Sequence, residues 1–452
     1  MNKFLKVLSI LVLFTMLFAA CAPKAEVETV EEEPAVAEEA VEVEEATGKS
    51  LEGQEITFLT IQPHTVASQN LAEWFEEETG CKVTVDVVPY DNVVEKAVLD
   101  VTSGVGYYDV VDFWYPGLGT LVENGVLKNL DEWYAENEAA LELDDLIVTF
   151  KDVFTTIDGS KYAFPFDGDM HLLYYNTEIF DQYGLTFPAT WDEYYDACKT
   201  ITEAGAADGV YGCAIMGAKS PLILIGTFLN RLGSYGGAFF DADGNPVINS
   251  PEAVAALEGL VAQVEYALPT ASAVAFDEAL GGWFTGKAAM VEFWTDLPGM
   301  TDDPESSSIV GKWGVGHLPV GSGDKAQVVA SVNAGFGIGV SAVAPHPDAA
   351  MEFLNFVARP DVAARYNTVV GGIDPVRYST LDDPAYIEFA GAEIVDAIKA
   401  AHANAITWPT NAKWFELQES LTDNLSLAII GEKTPQEALD DTQATWLQIL
   451  GQ

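Results

Sequence analysis

Ile56-Thr-Phe-Leu-Thr-Ile61, Val83-Thr-Val-Asp-Val-Val88 and Asp109-Val-Val-Asp-Phe113 are three short β-rich runs separated by two stretches with helical spacing. The first intervening stretch places Leu71, Trp74 and Phe75 on one face and stops at Gly80, and the second centres on 93–101. Strand, helix, strand, helix, strand is the pattern of a parallel sheet, whose ligands sit at the carboxyl ends of the strands.

Towards the C-terminus the alternation continues. A short helix is expected near Leu118–Asn124, then turn-rich sequence up to Lys161-Tyr-Ala-Phe-Pro-Phe166, then a strand over His171–Asn176. Thr190 followed by Glu193 reads as a capping box opening a helix through Trp191, Tyr194 and Cys198, and a second α/β unit follows from Tyr211. Pro251 starts a helix to about Leu268, Val291–Trp294 and Gly335–Val340 read as strands, and Pro347–Ala358 is amphipathic. Two helices, 414–431 and 435–450, end the chain, which has no internal repeat and no heptad run. The roughly 400 residues after position 50 exceed what one core usually serves, so two lobes are expected.

The N-terminus is of a different kind. Lys3 and Lys6 precede an apolar run from Val7 to Ala20, too short to span a bilayer, that ends at Ala19-Ala20-Cys21. Residues 1–20 therefore read as a signal peptide. The small residues before Cys21 resemble a bacterial lipobox, with Phe18 where leucine is usual, so Cys21 is the expected lipidation site and membrane anchor. Residues 21–50 carry ten glutamates between Glu26 and Glu45 and no aromatic residue, the composition of a disordered acidic tether.

The formal charge is −49, of which −43 belongs to residues 51–452 once the two leader lysines and the tether's net −8 are set aside. Nucleic acid is thereby excluded as a partner, because binding it requires a basic surface. Cys81, Cys198 and Cys213 remain after Cys21. Cys198 and Cys213 could bridge across a helix-to-strand turn, or all three could be buried thiols. His64, His171, His317, His346 and His402 have no metal-ligand spacing, so no metal and no cofactor are expected.

Six stretches, in this order, resemble the bacterial extracellular solute-binding proteins of the maltose-binding-protein-like family: Phe75-Glu-Glu-Glu-Thr-Gly80, Tyr108-Asp-Val-Val111, Tyr175-Asn176, Thr190-Trp-Asp-Glu193, Gly286-Lys-Ala-Ala-Met290 and Pro375-Val-Arg377. The resemblance implies an α/β, two-lobe, periplasmic-binding-protein-like (type II) fold with the ligand in the cleft between lobes. One lobe would comprise 51–167 plus 337–390, the other 168–336 plus 390–452. It also implies a monomer outside the cytoplasm that hands a sugar to the permease of an ABC transporter.

A sugar site needs aromatic platforms for C–H faces and planar polar groups for hydroxyls. Trp114 ends the third strand run at the cleft, with Tyr115 beside it. Asp169 follows Pro165 in the first crossing, where family members place an acidic ligand contact, and Asp167 shares the segment. The resemblance places cleft tryptophans at Trp294, with Asp296 next but one, and at Trp414. Asn333 and Phe336 lie at the second crossing, and Gln62 and His64 follow the first strand. His171 stands as a possible donor or a satisfied core histidine. Residues 217–230 are aliphatic where relatives offer an aromatic contact, so the particular sugar stays open. Rival readings are a polyamine or other cation in the same fold, a surface adhesin, and a glycosidase using Asp169 and Asp296. No nucleophile elbow or phosphate loop is present, and no enzymatic activity is expected.

Overall fold

The computed structural model describes residues 50–369, 373–402 and 404–452. The leader, Cys21 and the acidic tether up to residue 49 lie outside the described residues. Among those described, no helix is long and apolar enough to cross a membrane.

The first sheet has five strands in the order Lys82–Val88, Glu55–Ile61, Val110–Trp114, Phe336–Val340, Phe164–Asp167. Its first three strands are the three β-rich runs and pair in parallel, as the alternation requires. The other two arrive from far along the chain and pair antiparallel. Apolar side chains of Ile56, Phe58, Leu59 and Ile61 are buried on both faces of Glu55–Ile61, an interior strand, which explains a run without polar alternation. The helix Thr65–Thr79 packs Leu71, Trp74 and Phe75 onto this sheet and ends on Gly80, whose φ of 79° is the left-handed cap that glycine adopts without strain.

The second sheet runs Ala405–Thr407, Ala330–Val332, His171–Asn176, Met290–Trp294, with Trp313–Gly316 also paired to His171–Asn176. The Thr190 capping box forms as expected, with Glu193 N–H donating to Thr190 Oγ1 and Thr190 N–H donating to Glu193 Oε2. In this lobe's core Arg231 is fully buried, 2.7 Å from Glu292 and stacked over Trp191.

Two departures from the sequence reading concern local structure. The segment read as turn-rich holds helices Asp131–Leu141 and Val148–Val153, whose short apolar faces, Trp133, Tyr134, Leu141 and Phe150, are too brief to show periodicity. Cys198 and Cys213, like Cys81, are buried free thiols, so the possible bridge is not formed.

The chain passes directly between the sheets at 168–170 and 333–335, and a third time over the long helical stretch from Phe336–Val340 to Ala405–Thr407; register then fixes what stands at each sheet's end. Phe336 is opposite Trp114 on one side and Asp167 on the other. In the second sheet His171 is opposite Trp294 and Ser331. Gly168 allows the first crossing to pass 374–375 closely, since a Cβ there would sit 2.4 Å from the Pro375 carbonyl oxygen. These crossings bring aromatic and acidic residues from both sheets together.

Candidate ligand cleft

A cavity of about 400 Å3 lies between the two sheets. The first lobe lines it with Ile61, Pro63, His64, Tyr90, Asp91 and Phe336; the second with Ser220, Leu222, Phe276, Leu280, Phe293, Trp294, Asp296 and Met300; Asp169 and Ala334 come from the crossings. Its size falls within the range usual for small-molecule sites, and its walls are largely apolar, with Tyr90, Phe276, Phe293, Trp294 and Phe336 supplying aromatic surface.

Trp294 ends its strand with the indole in the cavity wall, and its Nε1 is buried without a hydrogen-bond partner. The ring is held from behind by the His171 ring, edge-on at 4.2 Å. His171 is fixed in turn by Asn230 and Asn333, whose side-chain amides lie 3.0 and 2.9 Å from its Nδ1. Asn230 also donates to Glu292, the partner of Arg231. Burial lowers the His171 pKa to about 3, so the ring is neutral and serves as a support.

On the other wall, His64 Nδ1 is 2.6 Å from Asp112 and Nε2 is 3.1 Å from Asp167. Burial alone would lower its pKa, but the charges and hydrogen bonds of Asp112 and Asp167 raise it to about 10. It is therefore a buried imidazolium between two carboxylates, offering the cavity only its ring, against which Phe336 packs at 4.5 Å. Thr60 Oγ1 donates to the same Asp112 oxygen and Ser68 Oγ donates to Thr60.

The acidic groups form a second layer. Asp167 accepts the backbone N–H of Asp374 at 2.6 Å, and the carboxylate oxygens of Asp167, Asp169 and Asp374 lie within 4.8 Å of one another. Three hard oxygen donors could accept one cation. Their closeness already has another basis, because Asp169 and Asp374 are hydrogen-bonded to each other, which requires a shared proton. Burial, then Asp167 and Asp374, push Asp169 well above the usual carboxylate range. Asp374 is pushed up to about 6 by burial and Asp167, against the lowering effect of its hydrogen bonds to Asp169, Thr295 and Tyr386. Burial, with Asp374 and Asp167, raises Asp296 to about 7.

Of the residues expected at the site, His64, Asp169, Trp294, Asp296 and Phe336 line this cavity. Trp114 lines an adjoining one. The others are placed elsewhere. Tyr115 is fully buried with its hydroxyl donating to the Val332 carbonyl at 2.9 Å and accepting the Trp408 N–H at 2.7 Å. Trp414 is fully buried among Trp408, Phe239 and Trp446. Asn333 spends its amide on Asn230, Gly226 and His171, and Asp167 is fully buried behind His64. Gln62 is exposed beside Pro63, which takes the lining position. Tyr90, Asp91, Phe276, Leu280 and Met300 were not singled out by sequence, since they reach the cavity from ordinary loops and helices. From the stretch that the sequence showed as aliphatic in place of an aromatic contact, Leu222 supplies apolar wall and Ser220 a hydroxyl.

The profile described as bacterial extracellular solute-binding protein matches residues 62–364. The chain belongs to that family. A relative from Sinorhizobium fredii, described as a probable amino-acid ABC transporter periplasmic-binding protein, is 26% identical over 377 residues, 82% of this chain and 83% of that one. A solute-binding protein from Agrobacterium radiobacter K84, solved with ribitol, is 27% identical with TM-score 0.77, covering 88% of this chain and 99% of its own. Maltose-bound MalE3 of T. maritima is 25% identical with TM-score 0.75 over the same shares. This solute-binding protein thus has the two-lobe type II fold.

Proposed function

We propose that this solute-binding protein captures a polyhydroxylated solute, a sugar or sugar alcohol, outside the cytoplasm and delivers it to the permease of an ABC transporter. The observation that carries this reading is one cavity in which aromatic walls, Tyr90, Phe276, Phe293, Trp294 and Phe336, surround three carboxyl groups, Asp91, Asp169 and Asp296. Aromatic faces cover C–H surfaces and carboxyl groups bind hydroxyls. The unpartnered Tyr90 hydroxyl and Trp294 indole N–H are donors awaiting acceptors, which hydroxyl oxygens provide. The ribitol and maltose bound by the two related structures are of this chemical class.

A cationic ligand is favoured by one observation: the lining has three aspartates and no lysine or arginine. Against it stand the raised pKa values of Asp169 and Asp296, which reduce their charge, and those buried donors, which an ammonium cannot satisfy. An amino acid would need a cationic group for its carboxylate, and the lining's one candidate, His64, is bracketed by Asp112 and Asp167.

The anchoring belongs to the same reading: residues 1–20 are removed, Cys21 is lipidated, and a single copy works at the end of the acidic tether. The lobes are 51–167 plus 337–390 and 168–336 plus 390–452. This division is supported by the helix Ala392–Ala401 packing on Trp313–Gly316 of the second sheet. A thermal-shift screen against sugars, alditols, polyamines and amino acids tests the ligand class, because a ligand of the folded state raises the melting point. Sugars or alditols should shift it. A shift with polyamines or amino acids alone would sink the proposal. Cys21→Ser should release the protein from membranes.

A further inference from the structure

A second cavity of about 270 Å3 adjoins the first, and Tyr90, Asp91, Ser220 and Leu222 line both. Beyond this shared wall the second chamber is faced by Trp114, Phe415 and Gln418. Trp114 lies 5.7 Å from the Tyr90 ring and 6.4 Å from Phe415, so aromatic surface continues from one chamber into the next.

The polar atoms here are the informative feature. Trp114 is 6% exposed and its Nε1 has no partner; Gln418 is 7% exposed and its Oε1 has none. The Tyr90 hydroxyl, on the shared wall, is also unpartnered. Leaving such groups buried and unsatisfied costs free energy, so native sites rarely keep them without an occupant. A donor and an acceptor in an aromatic-walled chamber match a hydroxyl-bearing unit, since a hydroxyl both accepts and donates. A single ring or short alditol in the first cavity would leave both Trp114 and Gln418 unsatisfied.

We propose that the ligand occupies both chambers and so contains at least two linked units: a disaccharide, with one unit against Trp294 and the second against Trp114 and Gln418. This rests on the sugar reading and narrows it. Calorimetric titration of the purified protein with ribitol, glucose, maltose, cellobiose and sucrose tests it, alongside Gln418→Met, which keeps side-chain volume and removes the amide, and Trp114→Phe, which keeps an aromatic ring and removes the N–H. At least one disaccharide should bind about tenfold or more tighter than glucose and ribitol. Each variant should weaken that disaccharide severalfold while leaving single-unit binding unchanged. Should either variant fold poorly, shown by its melting curve, the other carries the comparison. The two-chamber inference is overturned if a single unit binds as tightly as every disaccharide, or if the variants weaken both kinds equally or neither. Absence of binding by any of the five overturns the sugar reading and this inference with it.

Discussion

Nδ1 of His64 is 2.6 Å from Oδ2 of Asp112, and both side chains are almost wholly shielded from solvent. With Asp167 on its other nitrogen, His64 is the cation that allows two carboxylates to stay buried beneath the cleft. Its role is electrostatic support of the wall. Removing one member of such a group leaves uncompensated charge in a low dielectric.

His64→Ala should therefore destabilise the protein by about 3–5 kcal/mol at neutral pH in chemical denaturation. The folded pKa, about 10, lies above the ordinary 6.5, so this stabilisation is fully present below pH 6.5 and is lost as pH rises towards 10. The deficit of the variant should accordingly shrink between pH 7 and 10. A variant as stable as the parent at pH 7 would show that His64 is neutral and dispensable.

Trp294 and Trp414 should behave as opposites. Trp294→Ala removes a cavity wall, so binding should weaken by about tenfold or more with a modest change in melting point. Trp414→Ala empties a fully buried site packed between Trp408, Phe239 and Trp446, so it should cost about 3–5 kcal/mol of stability while the folded fraction keeps its affinity. Melting curves and titrations on the two variants check this. Loss of affinity with unchanged melting in Trp414→Ala would place that indole at the ligand after all.

The difference between those tryptophans marks where sequence reading reaches its limit. The first three strands were legible because each is short, apolar and flanked by helical periodicity; His64 was named because it follows the first of them, Phe336 because it lies at the second crossing, and Trp294 through the family resemblance. Trp414 also opens an element, but whether it faces cleft or core depends on Trp408 and Trp446 in space, which spacing along the chain does not encode. Asp374 stayed hidden for a similar reason. It meets Asp167 across 207 positions through a backbone hydrogen bond, and the neighbouring Pro375-Val-Arg377, which helped to mark the family, gives no sign of this; its Arg377 is bonded instead to the carbonyls of Leu141 and Ala358. Tyr90 follows a proline in a short turn, with nothing local to separate it from any surface tyrosine.

Asp296 should make the empty protein less stable as pH rises. Its folded pKa of about 7 exceeds the ordinary carboxylate value of 3.8, and Asp374, at about 6, is raised in the same sense. A raised carboxyl pKa favours the folded state most at low pH, and this contribution is lost between about pH 4 and 7 as buried carboxylates ionise. Asp296→Asn removes that penalty. It should raise the melting point at pH 8 and change it little at pH 4.5. A variant less stable than the parent at pH 8 would mean that the charge of Asp296 is compensated.

Ligand binding should then carry the complementary pH dependence. A hydroxyl that donates to Asp296 favours the ionised carboxylate, so binding lowers its pKa and releases a proton. Affinity should increase from pH 5.5 to 8, following the free-state pKa of about 7. Titrations in buffers of different ionisation enthalpy should show proton release near pH 6.5. Asp296→Asn should weaken binding at pH 8, because the amide accepts less strongly than a carboxylate, and should flatten the pH profile, because the titrating group is gone. An unchanged profile in the variant would assign the proton to the Asp169–Asp374 pair. A parental affinity that falls with rising pH would mean that Asp296 meets the ligand in its protonated form, donating to an acceptor oxygen.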